Sequence, residues 1–227
     1  QVATDKCLLE CAALDAQVQG AVSSLLAAGI SQGQVVIYRG GQSLAAFSCF
    51  WACIWLGAVF VPIDPSWPPE RFVALCKRLQ PQLLIADAEL VEQCRQHLTQ
   101  FAVLSGADLQ PAGKASACQQ PASPDASAIA ACLLTSGSTG EPKIVQLSRA
   151  ALLRSAQLVI QQFSWGGGER LLNLAEPHTM SGLRNAMLAA PLAGMIWLCV
   201  PRTCRENLFA LLEVIATLQP HRLVAAP

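Results

Sequence analysis

One short segment of the chain, Thr135–Lys143, combines hydroxyl side chains, glycines and a lysine. Glycines allow a backbone to turn and to approach a ligand closely. Backbone N–H groups, hydroxyls and an ammonium group can then share the negative charge of a polyphosphate. The pattern predicts a phosphate-binding loop, although the same residue types are common in ordinary loops. The candidate ligands are Thr135, Ser136, Gly137, Ser138, Thr139, Gly140 and Lys143, and Thr139 is also the candidate ligand for Mg²⁺.

The segments on either side of this loop are predicted to hold it at the end of a buried strand. Ala128–Leu134 is an apolar run with turn-forming residues on both sides, which is typical of a buried strand. Ile144–Ser148 follows the loop, and a helical pattern begins at Arg149. The loop is not of the Walker type, because two residues separate its last glycine from the lysine. The structural alternatives are that the hydroxyls cap a turn and that Lys143 is an ordinary exposed lysine.

Two longer runs carry motifs that can be compared with known families. Leu134–Val145 contains the loop, and Leu56–Arg71 contains Gly-Ala-Val-Phe-Val-Pro-Ile-Asp-Pro followed by Pro-Pro-Glu-Arg. In order and separation they resemble the signatures of the adenylate-forming superfamily, which comprises acyl-CoA synthetases, luciferase and the adenylation domains of peptide synthetases. The resemblance covers nearly the whole chain. It implies ATP and Mg²⁺ as cofactors, a small carboxylic acid as substrate, and a thiol of CoA or of a carrier protein as acceptor.

A histidine further along the chain resembles a substrate-binding residue of the same superfamily. His178 and Gly182 are similar to the His-x-x-Gly region that lines the acyl pocket in many acyl-CoA synthetases, with one extra residue between them. The resemblance implies that both bind substrate; the alternative is a structural histidine at a helix start. Arg149 stands where many members have a histidine, so no role is transferred to it. Asp64 is assigned to turn geometry, and no residue is predicted to be a covalent nucleophile.

Composition argues against several classes of protein. Of 227 residues, 53% are hydrophobic and 13% are charged, and the formal net charge is zero. These values argue against disorder and against a broad nucleic-acid-binding surface. The ten cysteines form no Cys-x-x-Cys pair and the three histidines lie far apart, so a Cys/His metal site is not predicted. Reduced, buried thiols in a cytoplasmic protein are the preferred interpretation.

An uncharged segment, residues 44–63, is about long enough to span a membrane. Gly57 interrupts it and Pro62 lies near its end. The preferred interpretation is a buried helix over residues 43–56 that leads into a buried strand, and a membrane protein is the alternative.

Alternating segments predict an α/β fold with helix-covered, mostly parallel sheets in two stacked subdomains, as in the large N-terminal domain of adenylate-forming enzymes. The first subdomain is predicted over residues 1–127, ending in a Pro/Ala/Ser-rich linker, and the second over residues 128–227. Predicted helices cover residues 8–28, 43–56, 68–79, 89–100, 182–190 and 207–218, with another from 149. Predicted strands cover residues 34–38, 58–61, 82–86, 102–104, 128–134, 171–174, 195–200 and 222–225.

The resemblance implies a two-step reaction, in which ATP activates a carboxylic acid as an acyl-adenylate and a thiol then accepts the acyl group. Members of the superfamily continue past the point that matches Pro227, so the chain is expected to be an N-terminal portion without the C-terminal lid domain. An acyl-CoA ligase is the preferred prediction, with an aryl acid such as o-succinylbenzoate suggested by the early position of the loop. An amino-acid adenylation domain and a non-catalytic module that binds at most phosphate are the alternatives. A homodimer through the strand edge near Leu223–Ala225 is also expected.

Overall fold

The computed structural model describes residues 11–109, 125–135 and 142–225. They divide into two compact units, each with its own sheet. The first unit comprises the described residues of 11–41 and 45–149, and the second comprises those of 42–44 and 150–225. The sequence analysis placed the boundary between residues 127 and 128. The first unit extends to Arg149 instead, because the next two strands are hydrogen-bonded into its sheet.

The first unit is built on a six-stranded sheet in the order β4-β3-β1-β2-β5-β6. Four of its strand pairs are parallel, which confirms the predicted α/β class with a mostly parallel sheet. The strands are β1 (Val35–Arg39), β2 (Val59–Ile63), β3 (Leu83–Ala86), β4 (Ala102–Ser105), β5 (Ile129–Thr135) and β6 (Lys143–Ser148). The helices are α1 (Cys11–Ala27), α2 (Leu44–Leu56), α3 (Pro69–Leu79) and α4 (Ala88–His97), followed by a 3₁₀ turn at Gly106–Leu109.

The last strand pair of this sheet, β5 and β6, is antiparallel. Its connection is far shorter than the dozen or so residues that a parallel crossover needs. The two strands therefore form a hairpin, and its loop is the predicted phosphate-binding segment.

The apolar segment 44–63 is accounted for by burial within the first unit. Eight of the thirteen residues of α2 are buried, and every residue of β2 is buried at the centre of the sheet. The Phe50 ring on α2 meets the Phe60 ring on β2 edge to face, with 5.5 Å between their centroids. No helix within the described ranges is long and apolar enough to cross a membrane.

The second unit contains a parallel three-stranded sheet in the order β8-β7-β9. Its strands are β7 (Arg170–Asn173), β8 (Ile196–Leu198) and β9 (Arg222–Val224). Its helices are α5 (Arg149–Gln162), which begins at the boundary, a π-helix at Gly182–Ala189 that continues into α6 (Ala190–Leu192), α7 (Arg202–Glu206) and α8 (Leu208–Leu218).

Two features of the second unit differ from the sequence prediction. The helix predicted over residues 182–190 is wound as a π-helix, and the N–H of Ala190 donates to the carbonyl of Asn185, five residues earlier. Helix α7 was not predicted, because a five-residue helix is too short to show a helical period. The next helix was predicted, and the Asn207 side chain caps it by accepting hydrogen bonds from the N–H groups of Phe209 and Ala210.

The cysteines whose side chains the structure describes, from Cys49 onward, are free thiols, and most are buried. Cys49 and Cys53 occupy one face of α2 and are fully buried, as their spacing of four residues predicts. Burial raises the pKa of Cys76 to about 12 and so keeps this thiol protonated. Within the described ranges, no three His, Cys, Asp or Glu side chains are grouped closely enough to hold a metal ion.

Candidate functional site

The two ends of the predicted phosphate loop lie side by side. Thr135 is the last residue of β5 and Lys143 is the first residue of β6, and the two are directly paired across the hairpin. Both residues are exposed. Five of the predicted ligands lie outside the described residues, so their role, including the Mg²⁺ role of Thr139, stays a prediction: Ser136, Gly137, Ser138, Thr139 and Gly140.

The strand directions determine the edge of the sheet at which Thr135 and Lys143 lie. Strand β5 runs parallel to β2, so Thr135 lies at the same edge as the carboxyl ends of β1, β2 and β3. Ligands of open α/β sheets bind outside the carboxyl ends of the strands. The hairpin brings the Lys143 ammonium group to this edge. An exposed hydroxyl and an exposed ammonium at this position fit an anionic ligand.

An arginine that the sequence analysis did not single out also reaches the base of the loop. Arg78 lies in the last turn of α3, and its Nη1 donates a hydrogen bond of 3.0 Å to the carbonyl oxygen of Pro142. The contact places a cation beside Pro142, the residue that precedes Lys143 in the chain. No local pattern predicts it, because the two residues are 64 positions apart.

A buried arginine holds the turn that follows β2. The Arg39 side chain is almost fully buried and donates hydrogen bonds to the carbonyl oxygens of Pro65 and Trp67, at 3.3 and 2.8 Å. Its guanidinium carbon lies 4.6 Å from the centre of the Phe72 ring. In the same turn, Asp64 Oδ1 accepts hydrogen bonds from the N–H and hydroxyl of Ser66, as its assignment to turn geometry predicts.

The second predicted site lies after β7, in a turn that leads into the π-helix. The N–H and hydroxyl of Thr179 both donate to the carbonyl oxygen of Glu176, at 3.0 and 2.8 Å. The N–H of Gly182 in turn donates to the hydroxyl of Thr179 at 3.0 Å. A Cβ atom at Gly182 would lie 1.9 Å from the carbonyl oxygen of Glu176, so only glycine fits there. His178 is half-buried within this turn.

Two side chains that are distant in sequence, one charged and one polar, contact the segment that follows β7. Arg205 on α7 forms an ion pair with Glu176 at 2.9 Å, and both side chains are largely buried. Gln42, which belongs to the same compact unit, donates from its side-chain amide to the carbonyl oxygens of Asn173 and Ala175. The sequence analysis missed both contacts, because their partners are distant in sequence.

The structure thus distributes the predicted residues over the two units. Thr135 and Lys143 belong to the unit with the six-stranded sheet, and His178 and Gly182 belong to the unit with the three-stranded sheet. Each pair lies at the carboxyl edge of its own sheet. This arrangement defines an α/β protein with one candidate anion-binding edge and one candidate substrate-binding turn.

The comparison with protein families agrees with this class. Residues 3–227 match the family model described as AMP-binding enzyme. Because the match covers nearly the whole chain, the chain belongs to the AMP-binding enzyme family. The family predicted from the two sequence motifs is thereby confirmed.

Two of the curated relatives are named as ligases of an amino acid and a carrier protein, and a third is named as a synthetase. The D-alanine--D-alanyl carrier protein ligase of Streptococcus equi is 30% identical over 81% of this chain and 35% of its own length. The L-proline--[L-prolyl-carrier protein] ligase of Pseudomonas fluorescens is 29% identical over 73% of this chain and 35% of its own length. Fumosorinone synthetase of Cordyceps fumosorosea is 33% identical over 70% of this chain and 4% of its own length. The chain therefore spans about a third or less of these relatives.

Solved structures share the fold at low sequence identity. ATP-bound MatB from Rhodopseudomonas palustris has a TM-score of 0.82 and 19% identity, over 93% of this chain and 43% of that chain. The McyG A-PCP structure complexed with phenylalanyl-adenylate has a TM-score of 0.82 and 23% identity, over 93% of this chain and 35% of that chain. The o-succinylbenzoate CoA synthetase MenE from Bacillus subtilis has a TM-score of 0.82 and 20% identity, over 94% of this chain and 43% of that chain. At these identities the likeness establishes the fold alone.

Proposed function

We propose that this chain is part of an ATP-dependent ligase that activates a carboxylic acid as an acyl-adenylate. The observation that carries the proposal is the hairpin that pairs exposed Thr135 with exposed Lys143 at the carboxyl edge of the sheet. It is supported by membership of a family whose curated relatives are ligases.

In the proposed first step, a carboxylate oxygen of the acid attacks the α-phosphorus of ATP. An oxygen–phosphorus bond forms, the bond from the α-phosphorus to the bridging oxygen breaks, and pyrophosphate leaves with the electron pair. Such a step depends on positioning and on neutralising the leaving group. Lys143 and the hydroxyl of Thr135 are the described groups that would contact the β- and γ-phosphates.

The donor set of the loop fits a magnesium nucleotide. Thr139 is the proposed protein ligand of Mg²⁺, and when bound the ion would neutralise phosphate charge. Mg²⁺ keeps several waters and takes oxygen ligands from the substrate phosphates, and in nucleotide-binding phosphate loops a Ser or Thr hydroxyl is a known protein ligand, so a single hydroxyl is compatible with it. His178 and Gly182 are the proposed substrate-binding residues in the second unit.

We propose a carrier-protein thiol as the acceptor of the acyl group and an amino acid as the acid. The names of the D-alanine and L-proline ligases favour this choice over CoA. In the second step the thiol sulfur forms a bond to the acyl carbon, the bond from that carbon to the phosphate oxygen breaks, AMP leaves with the electron pair, and the thiol proton is released to solvent. The other candidate, a CoA ligase for an aryl acid such as o-succinylbenzoate, is supported by the early position of the phosphate loop. Buried free thiols accord with a cytoplasmic location.

The test is acid-dependent exchange of labelled pyrophosphate into ATP, measured on the longest polypeptide that carries this chain. A panel of amino acids and aryl acids identifies the substrate, and addition of CoA or a carrier protein identifies the acceptor. No exchange with any acid would support the alternative of a non-catalytic phosphate-binding module.

Lys143→Ala is the variant that tests the phosphate contact. We expect exchange to fall by at least about tenfold, since one lost charge-stabilising donor commonly costs 10²–10³-fold in rate. Stability should change by less than about 0.5 kcal/mol, because the side chain is exposed. Lys77→Ala, which removes an exposed lysine from α3, is the matched control and should leave exchange unchanged. Unchanged exchange in Lys143→Ala, or a collapsed thermal melt, would contradict the assigned role.

A further inference from the structure

A buried ion pair in the second unit joins α7 to the segment after β7. Arg205 Nη2 lies 2.9 Å from Glu176 Oε1, and the two side chains are only 6% and 18% exposed. Arg205 Nη1 also donates to the carbonyl oxygen of Leu174 at 3.4 Å. Arg205 therefore contacts the segment at two points. Since β7 and β8 are parallel neighbours, both residues of the pair follow carboxyl ends at one edge of the sheet.

Glu176 is the residue on which the turn with His178 and Gly182 is built. Its carbonyl oxygen accepts the two hydrogen bonds from Thr179, and the hydroxyl of Thr179 accepts the N–H of Gly182. The absence of a side chain at Gly182 lets the π-helix start directly against the Glu176 carbonyl. A shift of Glu176 would therefore be passed through these hydrogen bonds to Gly182, and His178 lies in the same turn, between Glu176 and Thr179.

Stability alone is a poor explanation of this ion pair. Among the described atoms, Glu176 Oε2 and Arg205 Nε are buried without a hydrogen-bond partner. A buried pair with unmet hydrogen-bonding capacity gains little net stability, because desolvation offsets the attraction. Burial also raises the pKa of the neighbouring Cys199 thiol to about 12. A polar pair in such a place can instead select one conformation.

We propose that Glu176 and Arg205 are positioning residues for the acid substrate, with Arg205 holding the turn in the conformation that presents His178 and Gly182. The inference rests on the proposed function and adds two residues to it. Neither residue is assigned a contact with ATP, so the predicted effect is selective for the acid.

The experiment measures KM for the acid and for ATP separately in pyrophosphate exchange, on the same polypeptide. The variants are Arg205→Met, Glu176→Gln and the two combined. Loss of positioning by about 1 Å can cost as much as 10²-fold in reactivity, so each single variant should raise the acid KM at least about tenfold while the ATP KM stays within about twofold. The double variant should be less impaired than the two single effects combined, because no unpaired buried charge remains.

Arg202→Met is the matched control, because Arg202 lies on the same helix in an exposed ion pair with Glu206. It should leave both KM values unchanged. Arg205→Lys keeps the charge without the two-point contact and serves where Arg205→Met does not fold. Equal changes in both KM values, or no change in either, would overturn the inference while the proposed function stands. Absence of exchange in the unaltered protein with every acid would reject the proposed function, and the inference with it.

Discussion

Gly182 shows how one residue type decides the geometry of a turn. An added Cβ atom would lie 1.9 Å from the oxygen and 2.4 Å from the carbon of the Glu176 carbonyl, and backbone atoms cannot rotate away as a flexible side chain can. Gly182→Ala should therefore lower the free energy of unfolding by about 1–3 kcal/mol, as overpacking does elsewhere. Chemical denaturation measures this change.

Gly166→Ala is the control for that measurement. A Cβ at Gly166 meets no atom within 4 Å and the residue does not have positive φ, so the expected change is within about 0.5 kcal/mol. Equal stability of the two variants would show that the turn can rearrange around an added methyl group.

Arg39 and Arg78 each hold a loop by donating hydrogen bonds to its backbone carbonyl oxygens. Arg39 is buried against two carbonyl oxygens of the turn after β2, and Arg78 reaches the carbonyl of Pro142 at the base of the phosphate loop. In both cases an arginine satisfies backbone groups that no regular element satisfies. These contacts shape the loops at one edge of the sheet.

At the scale of elements, strand β9 is tied to the start of β7 by an ion pair. Arg222 Nη2 on β9 lies 2.9 Å from Glu169 Oε1, and the Gly166 N–H donates to Glu169 Oε2. The hydrogen bond from Arg222, with that from Gly166, lowers the pKa of Glu169. The ionised carboxylate is therefore stabilised in the folded state. Its contribution to the free energy of unfolding is fully present above the unfolded pKa of about 4.3, and it is lost as the pH falls through the lower pKa of the folded state.

Glu169→Gln should accordingly lower Tm at pH 7, and the difference from the unaltered chain should disappear as the pH falls below about 4. Thermal melts at a series of pH values measure it. Glu206→Gln, in the exposed pair with Arg202, is the control and should produce a smaller change at pH 7. A Tm difference that persists at low pH would mean that the glutamate acts through packing and not through its charge.

At the scale of the whole molecule, the second unit exposes an apolar surface on α8. Leu208, Phe209 and Leu212 are 65%, 82% and 52% exposed and lie on one face at helical spacing. Strand β9 is at an edge of its sheet, and Leu223 on it is 48% exposed. Exposed apolar faces and open strand edges both recruit partners.

We therefore expect the 227-residue chain to self-associate as its concentration rises, with a homodimer as the first species. Light scattering over a concentration series measures the mass. Phe209→Ser should weaken association by about tenfold or more, because it removes the most exposed apolar side chain of the face. Phe163→Ser alters an exposed phenylalanine beyond the end of α5 and should have little effect. A strictly monomeric mass at every concentration would contradict the expectation.

Local patterns predicted those features that depend on neighbouring residues. The uncharged run 44–63 predicted a buried helix and strand, and α2 and β2 occupy that run. The apolar run before the phosphate loop predicted β5, so the loop starts at the end of a buried strand. Hydrophobic period and turn residues act over a few positions, so a single sequence displays them directly.

Features that depend on distant residues required the tertiary structure. The first unit includes β5 and β6 because they pair within its sheet, which the proline-rich linker before them does not reveal. Arg78 and Pro142 are 64 positions apart, and Glu176 and Arg205 belong to different connections. Side-chain type predicted Thr135 and Lys143 as phosphate ligands, and the family resemblance implied His178 and Gly182 as substrate-binding residues; these roles stay predictions. The contacts of Arg78 and Arg205 with these loops could not be predicted from the sequence. They depend on strand pairing, which brings the carboxyl ends of separate strands to one edge of a sheet.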